Sequence, residues 1–144
     1  MKKIMVIHGP NLNSLGQRQP EIYGNQTLGQ INDQIETEAR RLDCRVEIHQ
    51  ANSEGAIVDL IQSSGSDVSG IVINPGGYSH TSVAILDALL ASKTTAVEVH
   101  LSNIYRREEF RQPMITARGA IGVISGFGAQ SYLLALQYLT NPEV

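Results

Sequence analysis

A chain of 144 residues is expected to form one domain over residues 1–144, since folding at that length buries roughly 68–70% of the extended surface and needs no covalent staples. A formal charge of −3 and a pI near 5.7 argue against a general nucleic-acid binder, which gains affinity by neutralising phosphates. The single cysteine, Cys44, excludes an internal disulfide and a cysteine-based metal site. With no apolar run of membrane-spanning length and no export signal after Lys2 and Lys3, the expected compartment is the cytoplasm.

Residues 2–8 become a continuous apolar strand after their lysines, of the kind buried on both faces at the centre of a parallel sheet. Residues 9–26 are a long irregular stretch, and such a loop in a compact domain is a lid, a binding loop or disordered. Thr27 can cap a helix running to about Leu42, with Leu28, Ile31, Ile35, Ala39 and Leu42 at three- and four-residue spacing. Residues 45–50 alternate Val46 and Ile48 with polar side chains, as a strand near a sheet edge does. Asn52, Ser53, Glu54 and Gly55 turn into a helix that points Ala56, Ile57, Leu60 and Ile61 inward, and residues 64–69 are a loop.

Residues 70–73 are a short β-branched strand, residues 74–80 a polar turn on Pro75, Gly76 and Gly77, and from Ser82 apolar residues return at helical spacing. A strand over residues 94–100 sets Val97 and Val99 on one parity and Glu98 and His100 on the other. A second long polar segment covers residues 101–118. It leads to a strand over 120–125, a tight turn over 126–128 and a closing helix over 130–139, ended by Asn141 and Pro142.

The order reads as β-α repeated five times, with no linker and no repeat of solenoid period. That pattern predicts a doubly wound α/β domain whose five-stranded parallel sheet has the flavodoxin-like order 2-1-3-4-5. The polar residues collect behind the strands: His8 and Asn11 after the first, Asn52 after the second, Asn74 and His80 after the third, His100 and Ser102 after the fourth. With the first and third strands adjacent, Asn11, Asn74 and His100 are expected to meet over one crevice at the carboxyl edge.

Several chemistries are disfavoured there. Neither a dinucleotide fingerprint nor a phosphate-binding loop is present, and GFGAQS at Gly126 reads as a structural turn. A receiver domain needs an acidic cluster where His8 stands. Lys2, Lys3 and Lys93 all lie away from the carboxyl edge, which disfavours imine catalysis, and no nucleophile elbow occurs. His80, Glu98 and His100 are candidate metal ligands, yet Glu98 and His100 lie two apart on one strand, and one pair is too few for a stable metal site. Glu98 and His100 instead share a face two residues apart, so the carboxylate can orient the imidazole as a general acid; the alternative is a solvated pair on an edge strand. What remains is acid–base chemistry without a metal or cofactor. Arg18 and Tyr23 lie five apart in the first loop, and a guanidinium beside a phenol favours the phenolate, a usable base, unless both ride on a mobile surface loop. Arg111, with the amides of Asn11 and Asn74, suits an anionic, polyhydroxylated small molecule.

Three motifs, HGPNLNSLGQRQPEIYG, INPGGYSHTSVAILDAL and VEVHLSNIYRREEFR, closely resemble those of the type II 3-dehydroquinate dehydratases, in the same order and over nearly the whole chain. The resemblance implies removal of water from 3-dehydroquinate to give 3-dehydroshikimate, by anti elimination through an enolate and without cofactor, in the shikimate or quinate pathway. It implies that Tyr23 is the base, held as phenolate by Arg18, that His100 is the acid, oriented by Glu98, and that Asn11 helps to hold the water at the enolate oxygen. Asn74, His80, Leu101, Ser102 and Arg111 match substrate-binding positions. Asp87 matches one contributed across a subunit boundary, which implies trimers assembled four to a dodecamer. The chain departs from the family's pattern at Gln112, Pro113 and Met114, where histidine and serine are common, and at Ser131, where glycine is usual. A reading of another class is a non-catalytic small hydroxy-acid binding module on the same fold.

Overall fold

Five parallel strands, β1 (Lys3–His8), β2 (Arg45–Gln50), β3 (Gly70–Asn74), β4 (Ala96–His100) and β5 (Gly122–Ser125), form one sheet in the order β2-β1-β3-β4-β5. This is the order expected from the sequence, in a computed structural model that describes residues 1–17 and 19–144. The helices are α1 (Pro20–Tyr23), α2 (Leu28–Arg41), α3 (Glu54–Gln62), α4 (Val83–Ser92) and α5 (Gln130–Thr140).

Strand parity decides which helix covers which face. Ile4, Val6, Val72, Val97 and Val99 pack with Ile31, Ile35 and Ala39 of α2 and with Ala135, Leu136 and Leu139 of α5. On the other face Met5, Ile7, Ile71, Ile73 and Ala96 pack with Ile57 and Ile61 of α3 and with Ile85, Ala88 and Leu89 of α4. Both faces of β1, β3 and β4 are therefore buried, which explains the unbroken apolar runs of β1 and β3. Helix starts follow local chemistry. Thr27 and Gln30 form a reciprocal capping box at α2, while the hydroxyls of Ser53 and Ser82 accept from the third residue on, Ala56 and Ile85.

The structure corrects four expectations. The link between β4 and β5 holds no α-helix, so the β-α unit does not repeat five times. Residues 101–121 instead make 3₁₀ turns at Ile104–Arg106, Glu109–Arg111 and Thr116–Gly119, a run with no helical apolar period and with Pro113, which has no N–H to give. The first irregular stretch contains a 3₁₀ turn at Leu12–Ser14 and the single turn α1, and it is pinned by buried Leu12 and Leu15. The polar turn after β3 is itself a 3₁₀ segment, Gly76–His80. Finally β4 is an interior strand between β3 and β5, and Glu98 and His100 are buried, so the solvated edge pair does not occur.

Two close approaches need glycine. Gly9 donates its N–H to the Asn74 carbonyl at 2.8 Å, and a β-carbon there would lie 2.7 Å from that oxygen. Gly76 has φ +59° against Pro10. Together they bring the loop after β1 against the end of β3.

Candidate active site

The carboxyl ends of β1, β3 and β4 open into a cleft lined by Asn11, Tyr23, Asn74, His80, His100 and Arg111, with Leu101, Ser102 and Arg107. It lies where the strand order reverses, as expected for a doubly wound sheet. Asn11 takes the left-handed conformation, φ +69°, which asparagine tolerates, and its backbone N–H donates to Oδ1 of Asn52.

Below each face of the sheet a buried polar network holds one wall of the cleft. Under α2 and α5, the backbone N–H of Gly76 donates to Oδ1 of Asn74 at 3.1 Å. That bond fixes the amide, so Nδ2 donates to the Tyr132 hydroxyl at 3.0 Å. The Tyr132 proton is left for Nδ1 of His8 at 2.9 Å, and His8 must then carry its own proton on Nε2, which meets Oδ1 of Asn32 at 2.8 Å. Burial pushes the Tyr132 phenol up and keeps it a hydroxyl. Burial, against the Asn32 bond, pushes His8 down to about 4. The chain of bonds therefore aims the Asn74 carboxamide with every donor decided.

This network carries a pH signature. Below about pH 6.5 the unfolded histidine takes up a proton that the folded one refuses until about pH 4, so stability falls as pH falls through that window, by about 1.4 kcal/mol per unit. Between pH 7 and pH 5 denaturant unfolding is expected to show the wild type losing about 2 kcal/mol more than His8→Gln. Equal losses in the two proteins would contradict a neutral His8.

Under α3 and α4 the second network surrounds Glu98, which is wholly buried. Ser79 Oγ donates to Oε2 at 2.7 Å, Thr116 Oγ1 donates to Oε1 at 2.5 Å, and Nε2 of His100 meets Oε2 at 2.7 Å. Its other ring nitrogen, Nδ1, is thereby free of the carboxylate. The His80 ring lies 6.4 Å from that of His100, nearly parallel to it. Nδ1 of His80 donates to the Pro113 carbonyl at 2.9 Å, which leaves Nε2 as an acceptor, and burial holds this imidazole below the usual histidine range.

Tyr23 enters from α1. Its hydroxyl accepts from Nη1 of Arg107 at 2.7 Å, with the guanidinium carbon 5.0 Å from the ring centroid. Nε of Arg107 is buried with no partner among the described residues, a donor held in reserve at the cleft wall. Nε of Arg111 binds Glu108 at 2.6 Å.

Of the residues singled out in the sequence, Asn11, Tyr23, Asn74, His80, His100, Leu101, Ser102 and Arg111 line the cleft, and Glu98 backs His100 from beneath. Asp87 stands on the exposed side of α4, outside the cleft. Arg18 lies outside the described residues. Arg107, Tyr132 and Thr116 were not foreseen: nothing in their spacing separates Arg107 from Arg106, or Tyr132 from an ordinary core aromatic. Among the described residues no group of three or more His, Cys, Asp or Glu could hold a metal ion.

A doubly wound parallel sheet that sets an arginine-held phenol and a carboxylate-backed imidazole around one cleft defines a protein equipped for paired base and acid chemistry. The chain belongs to the dehydroquinase class II family, whose model matches residues 2–140. It is similar to the 3-dehydroquinate dehydratase of Acaryochloris marina, with 58% identity over 96% of this chain and 93% of that protein. The 3-dehydroquinate dehydratase of Clostridium botulinum strain Loch Maree is 50% identical over 98% of this chain and 96% of its own. The type II dehydroquinase crystal structure from Butyrivibrio crossotus superposes with a TM-score of 0.95 at 44% identity, covering 97% of this chain and 98% of that one.

Proposed function

We propose that this chain removes water from 3-dehydroquinate to give 3-dehydroshikimate, with Tyr23 and His100 as the base and the acid. The observation that carries this reading is the pairing across one cleft of a phenol under a nearly buried guanidinium with an imidazole on a buried carboxylate. Tyr23, as phenolate, takes the proton from the carbon beside the ketone, and the electrons move into an enolate. Arg107 holds the phenolate, and Arg18 is assigned with it. Asn11 holds the water at the enolate oxygen, where a preplaced donor is worth about 2.7–4 kcal/mol of barrier. His100 then gives its Nδ1 proton to the departing hydroxyl as the enolate collapses, and Glu98 steadies the imidazole at Nε2.

Binding falls to the remaining groups. One Nδ2–H of Asn74 goes to Tyr132 and the other has no partner among the described residues, so it serves a substrate hydroxyl together with Nε2 of His80. The main-chain groups of Leu101 and Ser102 take the carboxylate, and the guanidinium of Arg111, held at Nε by Glu108, adds attraction through its Nη groups. Residues 1–144 act as one catalytic domain without metal or organic cofactor, in the cytoplasm. Exposed Val83 and Leu90 lie to either side of Asp87 on α4, an apolar surface that supports a subunit contact. Asp87 reaches a neighbour's cleft from there, in trimers assembled four to a dodecamer. Light scattering is expected to give about twelve times the chain mass, and a monomer at micromolar concentration would contradict the assembly.

The activity is tested by mixing the purified protein with 3-dehydroquinate and following the ultraviolet absorbance of the conjugated enone. A steady rise is expected, and borohydride added with substrate should trap no adduct. A folded protein that gives no rise would favour the binding module.

A further inference from the structure

Glu98 has no access to solvent, so its carboxylate depends on neighbouring side chains for its hydrogen bonds. Nε2 of His100 lies 2.7 Å from Oε2, and two hydroxyls set how the carboxylate is turned toward that ring. Ser79 Oγ could also point at Sδ of Met114, but at 3.6 Å against 2.7 Å to Oε2 its proton goes to the carboxylate. Thr116 Oγ1 is the donor on the opposite oxygen, Oε1, and is itself wholly buried.

Thr116 is not an isolated contact. It follows directly on Pro113, Met114 and Ile115, a stretch that overlaps the departure from the family's pattern at Gln112, Pro113 and Met114. In this stretch the Pro113 carbonyl accepts from Nδ1 of His80, Met114 Sδ meets the Ser79 hydroxyl, and the Ile115 N–H donates to the Ser79 carbonyl at 2.8 Å. Four consecutive residues thus brace the His80 ring, the Ser79 backbone and the Glu98 carboxylate.

We propose that Thr116 is a positioning residue for the acid step: its hydroxyl, bonded to Oε1 of Glu98, keeps Oε2 aimed at Nε2 of His100 and so keeps the imidazole turned with Nδ1 toward the cleft. The inference rests on His100 being the acid. If it holds, loss of the Thr116 hydroxyl slows protonation of the leaving group without touching proton removal by Tyr23. More of the enolate then returns to substrate, and the longer it waits the more often the proton on Tyr23 exchanges with solvent before it is given back.

The test compares Thr116→Val, which replaces the hydroxyl by a methyl of similar size, with Thr116→Ser, which keeps it. Both are assayed with 3-dehydroquinate in heavy water, and deuterium in the recovered substrate is counted against product formed. Thr116→Val is expected to lower kcat by about 10- to 100-fold, the worth of one charge-assisted hydrogen bond, with KM within about twofold. It is also expected to raise deuterium per turnover, while Thr116→Ser stays close to wild type in both respects. Thr116→Ala provides the same loss of the hydroxyl without added bulk if the valine protein is insoluble. A folded valine or alanine variant with wild-type kcat and wild-type deuterium per turnover would overturn the proposal, as would a serine variant as slow as valine. His100→Ala run in parallel separates the two ideas: normal turnover there removes the acid assignment itself, whereas lost turnover there beside an unaffected Thr116→Val removes only the role of Thr116.

Discussion

Tyr23→Phe is expected to lower kcat on 3-dehydroquinate by about a thousand-fold or more, within the range that a positioned base contributes, while binding changes by only a fewfold. The substitution deletes one oxygen. That oxygen receives the Nη1 proton of Arg107 at 2.7 Å, and among the described residues no second phenol, carboxylate or lysine lines the cleft. The ring remains to fill its place on α1, so the cleft keeps its shape and the other binding groups their positions. Turnover followed by enone absorbance, together with calorimetric titration of substrate, checks both halves. A phenylalanine variant within tenfold of wild type would place the base elsewhere.

Arg107→Leu is expected to cost about a hundred- to a thousand-fold in kcat, the scale of one preorganised charge-stabilising donor in a closed site. The guanidinium is nearly buried and its Nε has no partner among the described residues, so the group is held for the phenol on one side and offers a donor on another. Lysine should restore little, because an ammonium cannot reproduce the flat fork that both donates to the hydroxyl and covers the ring. In a Tyr23→Phe background the same leucine substitution should add far less than it costs alone, since the two groups act on one proton. Additive losses would mean that Arg107 works through substrate binding instead, and a raised KM with unchanged kcat would say the same.

Much of this architecture was legible in the order of residues because the signals were local. Strand parity in β1 and β3, the Thr27 to Gln30 cap and the polar residues that follow each strand are read within a few positions, and right-handed crossovers then leave one natural strand order. Glu98 and His100 were legible for the same reason, since residues two apart on a strand share a face. What escaped was set by contacts distant in sequence. Arg107 meets Tyr23 across 84 positions and Tyr132 meets His8 across 124, and no periodicity marks either pair. The burial of β4 on both faces depended on β5 joining the sheet beyond it, although β5 is short and its Val123 is exposed. The β4 to β5 link misled for a further reason: in a chain of otherwise regular β-α units, a polar stretch containing Pro113 spans the gap with 3₁₀ turns, and those turns bring Thr116 beneath Glu98.

Division of labour between Tyr23 and His100 is tested most directly by His100→Ala incubated with 3-dehydroquinate in heavy water. With the base intact and the acid removed, deuterium should enter the carbon beside the ketone in recovered substrate while almost no enone forms. Enone formation near the wild-type rate, or a folded variant that neither exchanges nor eliminates, would contradict separate base and acid residues.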